Sequence, residues 1–114
     1  MTAKDLVICI PVGADRQMAH SWGRAARLAV VHVSAGAITD WTEHDVAWDE
    51  LHDTGTEGSH HARVVRFLLD EQVTTVIAQH MGPPMVNTLG KMGIDLHLGV
   101  TGSAEDAVLA VAGA

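Results

Sequence analysis

Histidine is the residue type that most suggests chemistry in this chain, which contains eight histidines among 114 residues. A neutral imidazole nitrogen is a common metal ligand, and imidazole gains or loses its proton near neutral pH. So many imidazoles in a short chain raise the hypothesis of a metal site, although their number does not locate it. The histidines are His20, His32, His44, His52, His60, His61, His80 and His97.

Three of the histidines adjoin predicted loops or helix starts, and we take His20, His60 and His80 as candidate metal ligands. His60 and His61 are adjacent, so on a helix their side chains diverge by about 100° and rarely bind one metal together. Because His61 lies on the same helical face as Val64, we predict that His61 packs inward and that His60 stays available. The alternative for each candidate ligand is an ordinary solvated side chain in a polar loop.

The remaining histidines are weaker candidates. His32 and His97 fall within predicted strands, where we expect them to be sheet residues with satisfied ring nitrogens. His44 and His52 flank an acidic segment that could hold a divalent cation, although such segments are usually only solvated. The thioether of Met81 could supply a soft second contact to a metal.

Hydrophobic periodicity predicts five strands and three helices in the order β-β-β-α-β-α-β-α. Short β-branched runs indicate the strands, and apolar residues recurring every three or four positions indicate the helices. Residues 12–24 are predicted to form a functional loop, and residues 45–58 a mobile connection. The strands are predicted at residues 6–10, 28–33, 38–44, 73–78 and 94–98, and the helices near Ser59, Pro84 and Ser103.

This element order predicts an α/β protein with a ribonuclease H-like three-layer fold, in which a mixed five-stranded sheet lies between helices. The first helix should cover the sheet with Val64, Val65, Leu68 and Leu69. If the second strand alone runs against the others, the parallel strands end at one shared edge, where ligands gather in open sheets. The loops at this edge are therefore the candidates for function.

The composition limits the class of protein and its partners. Apolar residues make up 47% of the chain and charged residues 18%, which is typical of one packed domain spanning residues 1–114. The formal net charge of −7 opposes binding to the phosphate backbone of nucleic acid. Apolar runs are too short for a membrane span or a secretion signal, so we expect a cytoplasmic protein without a membrane partner. The single cysteine, Cys9, is predicted to be a buried strand residue.

Three segments of the chain carry a resemblance to a known family. They are Trp22–Ala25 after the first loop, Val76–Pro83 after the fourth strand, and Gly93–Leu96 leading to Gly99. In order and spacing these segments are similar to those of the dinitrogenase iron-molybdenum cofactor biosynthesis or binding proteins. The likeness covers nearly the whole chain, and it implies a layered fold like the one predicted above.

The resemblance implies a non-catalytic binding or carrier protein whose cofactor is an iron-molybdenum or iron-sulfur cluster. Family members of the carrier kind are expected to use a histidine placed just before a Phe-Gly pair. In this chain Ser21 stands at that position, and His20 lies one residue earlier. Either His20 replaces the family histidine through a shifted loop, or this contact is absent.

The predicted site lies at the shared strand edge, where the amino ends of the three helices also meet. Unpaired N–H groups and the helix dipoles favour an anion at such ends. A negatively charged metal-sulfur cluster would suit this place, with imidazole or thioether ligands, and the partner would be the cluster or the protein that donates or accepts it. The predicted site residues are His20, Ser21, His60, His80, Met81 and Gly82, with His20, His60 and His80 as metal ligands.

Two other functions remain open at the level of sequence. The predicted fold also hosts nucleases that hold two metal ions with carboxylates. Here the first strand offers only Asp5, the fourth offers no acid, and Asp95 begins the fifth strand at the edge opposite the predicted site. The stronger alternative is an interaction module that docks to a partner protein without a cofactor. Self-association into a homo-oligomer is also open, because a terminal strand lacks a neighbour.

Overall fold

The computed structural model describes residues 5–51 and 55–113, which are built around a mixed five-stranded sheet. The strands are β1 (Leu6–Pro11), β2 (Arg27–Ser34), β3 (Ala37–Asp45), β4 (Thr75–Ile77) and β5 (Asp95–His97). Their order across the sheet is β3-β2-β1-β4-β5. β2 is antiparallel to both of its neighbours, whereas β1, β4 and β5 are mutually parallel. The predicted mixed sheet is therefore confirmed, and its arrangement is compatible with a ribonuclease H-like fold.

The hairpin between β2 and β3 forms where the sequence predicts it. Its two turn residues, Ala35 and Gly36, have φ angles of 52° and 79°. Left-handed values at both central positions match the twist of the flanking strands, and the second of them suits glycine. The hairpin pairs Ser34 with Ala37 and places β3 at one edge of the sheet.

The helices cover the two faces of the sheet and complete three layers. Buried residues of α2 and α3 pack with Cys9 and Val76 on one face, whereas buried residues of α4 pack with Ile8 and Ile10 on the other. This division follows from the alternation of side chains along β1. Among the described residues, no helix is long and apolar enough to cross a membrane. The helices are α1 (Trp48–Leu51), α2 (Glu57–Asp70), α3 (Pro83–Lys91) and α4 (Ala104–Ala112).

The connection between β3 and α2 differs from the prediction of a mobile segment. Part of it forms α1, and Trp48 in this helix is only 2% exposed. The Trp48 ring makes edge-to-face contacts with Trp22 at 5.6 Å and with Phe67 at 5.9 Å between centroids. These aromatic contacts hold the segment against the core. The polar residues around Trp48 led instead to the prediction of a mobile segment. His52 lies outside the described residues.

Side-chain caps fix the starts of two helices. Ser103 accepts a hydrogen bond from the Asp106 amide, as predicted, and Thr56 accepts one from the Ser59 amide. α2 therefore begins slightly before the predicted start at Ser59. The predicted inner stripe of α2 is wrong at one position, because Leu69 is 63% exposed while Leu68 is buried.

Candidate functional site

The loop after β1, residues 12–26, lies across the carboxyl ends of the parallel strands. The Met18 amide donates to the Gly102 carbonyl at 2.8 Å, which ties this loop to the loop after β5. Ser21 forms an isolated parallel bridge with His80, which ties it to the loop after β4. The three loops that follow the parallel strands thus meet at the edge where ligands gather in open sheets.

The bridge between Ser21 and His80 brings two of the predicted metal ligands to this edge. His20 precedes Ser21, and the imidazoles of His20 and His80 both belong to exposed residues. His20 Nδ1 lies 3.2 Å from Oε1 of Gln79. We call His20, Ser21, Gln79 and His80 the edge site.

The contact with Gln79 engages one nitrogen of the His20 ring and leaves the other free of a side-chain partner in this pair. An amide oxygen only accepts hydrogen bonds, so Nδ1 of His20 carries the hydrogen and donates it. In the neutral ring, Nε2 of His20 then keeps its lone pair. A hydrogen bond from the far nitrogen is the usual way in which proteins orient a metal-binding imidazole.

Gln79 is the residue that the sequence prediction missed. It is half-buried and follows β4 directly, beside His80. Its position at the end of a buried strand was a usable signal, because such residues lie at the ligand-binding edge. Its partner His20 is 59 residues earlier in the chain, and no local pattern in the sequence links the two.

Met81 and Gly82 continue the loop after β4, but they occupy different surroundings. Met81 is 6% exposed and packs in the core cluster under α2 and α3. Its thioether would have to leave this packing in order to contact a bound group. Gly82 is exposed and forms the N-cap position of α3, so it adds no side chain to the rim of the site.

His60 is placed in the core, contrary to the prediction that it stays available near the helix start. It is 3% exposed, whereas His61 is half-buried. Its Nε2 lies 2.9 Å from the Gly23 carbonyl oxygen, and its Nδ1 lies 2.8 Å from NH1 of Arg63. Because both ring nitrogens are engaged, His60 does not join His20 and His80 as a third ligand.

The amino ends of the helices are less suited to an anion than the sequence suggested. Pro83 and Pro84 occupy the first positions of α3 and have no N–H, and the Met85 amide donates to the Gly82 carbonyl at 3.1 Å. The first turn of α4 carries Glu105 and Asp106. Negative side chains favour the helix but oppose a bound anion. Two of the three predicted anion-binding ends thus offer little to a negative ligand.

Metal-ligating side chains do not form a cluster of three or more anywhere in the part of the chain that the structure describes. Across residues 5–51 and 55–113, no three His, Cys, Asp or Glu side chains gather closely enough to hold a metal ion. Of the three predicted metal ligands, His20 and His80 are the two that are exposed at this edge. A complete four-ligand cage of the kind that structural zinc sites use is not formed there.

A family model described as dinitrogenase iron-molybdenum cofactor matches residues 4–113 of the chain. The chain belongs to this family. The resemblance inferred from the three sequence segments is thereby confirmed, since the match spans them all.

Solved structures of similar fold agree with the layered architecture. The crystal structure of PH0822 has a TM-score of 0.75 at 19% identity, covering 95% of this chain and 91% of that one. The apo form of the orange protein from Desulfovibrio gigas has a TM-score of 0.71 at 19% identity, covering 93% and 86%. The mj0327 protein of Methanocaldococcus jannaschii has a TM-score of 0.70 at 11% identity, covering 96% and 90%. At these identities the likeness establishes the fold alone, and no curated protein sequence matches the chain.

This member of the dinitrogenase iron-molybdenum cofactor family has serine where the resemblance leads us to expect histidine. The Ser21 hydroxyl accepts a hydrogen bond from the Arg24 amide at 3.3 Å, so it shapes the turn that follows. The neighbouring His20 reaches Gln79 instead.

The only cysteine of this family member is buried, unlike the exposed histidines of the edge site. Cys9 is fully buried in β1, and burial, with the Glu71 carboxylate as a second cause, raises the pKa of its thiol far above the ordinary value. A buried, protonated thiol is neither a good nucleophile nor a ready metal ligand.

We therefore expect Cys9 to resist alkylation by iodoacetamide in the folded protein at about pH 8. The same cysteine should react quickly once the chain is unfolded in guanidinium. Mass spectrometry after timed quenching measures both rates. Labelling of the folded protein at the denatured rate would contradict the burial of this thiol.

Proposed function

We propose that this chain binds and carries a preassembled, negatively charged metal-sulfur centre of the iron-sulfur or iron-molybdenum type. Its role is capture and transfer, without chemistry on a substrate, and its partner is the protein that delivers or receives the centre. The bridge between Ser21 and His80 carries the proposal, because it joins the two loops that bear the exposed residues His20 and His80 at the edge where ligands gather. Membership of the family supports the type of cofactor.

The donor set of the edge site fits such a centre better than a bare metal ion. A bare zinc ion needs about four ligands, and among the described residues no three His, Cys, Asp or Glu side chains gather closely enough to hold one. A preassembled iron-sulfur or iron-molybdenum centre arrives with sulfide and terminal ligands already in place, so the protein can attach it by replacing only one or two of the terminal ligands. Two imidazoles match this requirement.

Each residue of the edge site has a distinct role in the proposal. His20 binds through Nε2, and Gln79 holds the His20 ring in the required orientation. His80 provides the second imidazole. Ser21 fixes the turn that carries His20, through its bridge to His80 and its bond with the Arg24 amide.

The charge of the protein suits a carrier that must release what it binds. The formal net charge of −7 repels an anionic centre at long range. Attachment therefore depends on the ligand bonds and not on a general electrostatic attraction. Because few ligands hold the centre and the net charge of the protein opposes its binding, an acceptor protein can remove it.

The proposal is tested by anaerobic incubation of the metal-free protein with a synthetic iron-sulfur thiolate cluster and, separately, with tetrathiomolybdate. Zinc ion alone is the matched control. After gel filtration, metal analysis and optical spectra should reveal stoichiometric retention of at least one of the two sulfur-containing probes, with little zinc retained. If the folded protein retains neither probe, the carrier function is wrong, and a search for a docking partner becomes the next step.

A further inference from the structure

We infer that His60 is a positioning residue that holds the loop of the edge site in place from beneath. The consequence for cargo binding rests on the proposed function, but the contacts that carry the inference do not. His60 lies in α2, and its ring nitrogen reaches the backbone of the loop 37 residues earlier. A ligand role and a positioning role are exclusive here because both ring nitrogens are engaged, Nε2 with the Gly23 carbonyl and Nδ1 with Arg63.

The hydrogen-bond partners of His60 select one protonation form of its ring. Arg63 is always a donor, so Nδ1 of His60 must accept at the 2.8 Å contact with Arg63 NH1. The hydrogen of the neutral ring is then on Nε2, which donates to the Gly23 carbonyl oxygen at 2.9 Å. The two contacts are consistent with each other when the ring hydrogen is on Nε2.

The surroundings of His60 make it a firm support. NH1 of Arg63 also donates to the Leu51 carbonyl at 3.4 Å, which links the pair to the end of α1. The His60 ring lies edge-to-face with Trp48, with 5.9 Å between centroids. With 3% exposure, the imidazole has little freedom to turn away from Gly23.

The segment that His60 supports is the turn that carries the edge site. Gly23 lies two residues after Ser21, which bridges to His80. The Ala25 amide donates to the Trp22 carbonyl at 3.2 Å within the same turn. The turn is therefore held between His60 on its inner side and His80 at the rim, and loss of the inner bond frees the residues that orient His20.

The first experiment determines the ring form of His60 in the metal-free protein. Long-range ¹H–¹⁵N NMR spectra distinguish a hydrogen on Nε2 from one on Nδ1, and we expect the Nε2 form. A ring with its hydrogen on Nδ1 would overturn the inference, because it could not accept from Arg63. This measurement does not depend on any bound metal centre.

The second experiment compares substitutions at two adjacent histidines. His60→Leu removes both ring nitrogens at similar volume, His60→Gln keeps one donor and one acceptor, and His61→Gln is the matched control. Amide exchange at Arg24 and Ala25, read by NMR, should accelerate about fivefold or more in His60→Leu, the factor expected when one hydrogen bond is lost. It should stay near the parent rate in His60→Gln and His61→Gln.

Retention of the sulfur-containing probe should fall in His60→Leu and recover in His60→Gln if the proposed function holds. If the parent protein retains no probe, the carrier function fails, while the exchange data still decide the role of His60. Unchanged exchange at Arg24 and Ala25 in a folded His60→Leu protein would overturn the positioning role. Should that variant not fold, the ring form of His60 in the first experiment decides the inference, since a hydrogen on Nδ1 would overturn it.

Discussion

Retention of the metal-sulfur centre should be lost when His20 and His80 are both replaced by alanine. Both residues are exposed at the edge, and the proposed function makes them the ligands, with the contact to Gln79 restraining the His20 ring. Loss of a residue that merely orients a ligand lowers metal affinity by about 10–100-fold, and loss of a ligand should cost more. Gel filtration followed by metal analysis measures the retention, and titration of each single variant gives the affinity.

Two further variants make this expectation specific. Gln79→Ala should lower affinity by about 10–100-fold while leaving both imidazoles in place. His32→Ala should change nothing, because His32 is exposed on β2 beside Val7, at the start of β1 and remote from its carboxyl end. Parent-like retention in the double variant would exclude the edge site, even if the chain still carries a cluster elsewhere.

Replacing Trp48 with alanine should destabilise the fold more than any other single change considered. Trp48 is 2% exposed and contacts the rings of Trp22, His60 and Phe67. Removing a buried tryptophan costs about 3–5 kcal/mol in unfolding free energy, against a total of roughly 5–15 kcal/mol for a domain. Guanidinium denaturation followed by circular dichroism measures the loss.

The control for Trp48 is an apolar side chain that the structure leaves in solvent. Leu69 is 63% exposed on α2, so Leu69→Ala should change the unfolding free energy by no more than about 0.5 kcal/mol. A mild effect of Trp48→Ala would contradict the packing of α1 on the core. It would restore the prediction that this connection is mobile.

The sheet could be predicted from the sequence because its signals are local. The β-branched runs of β1 and β2 are buried on both faces and bounded by turn residues, so their pattern depends little on distant contacts. The Ser103 cap was predicted for the same reason, since it acts within one turn of its helix. Topology then followed from the rules for hairpins and right-handed crossovers.

The site could be predicted only in part, because tertiary contacts decide which side chains are available. His60 and His61 have the same side chain, but His60 is buried and contacts the Gly23 carbonyl, which is distant in sequence. Pro83 and Pro84 mark a helix start correctly, but they also remove the N–H groups that an anion would use. A sequence pattern locates the edge of the sheet, whereas the hydrogen-bond partner of each imidazole is known only from the three-dimensional structure.

The separation of His20 and Gln79 by 59 residues ties cargo uptake to the integrity of the fold. An unfolded chain has no edge site, so any centre held there binds the native state alone. By mass action, free cargo at about 100 times its dissociation constant would then add about 2.7 kcal/mol to native stability. A loaded carrier would outlast an empty one under proteolysis, and the pool of surviving protein would follow the supply of its cargo.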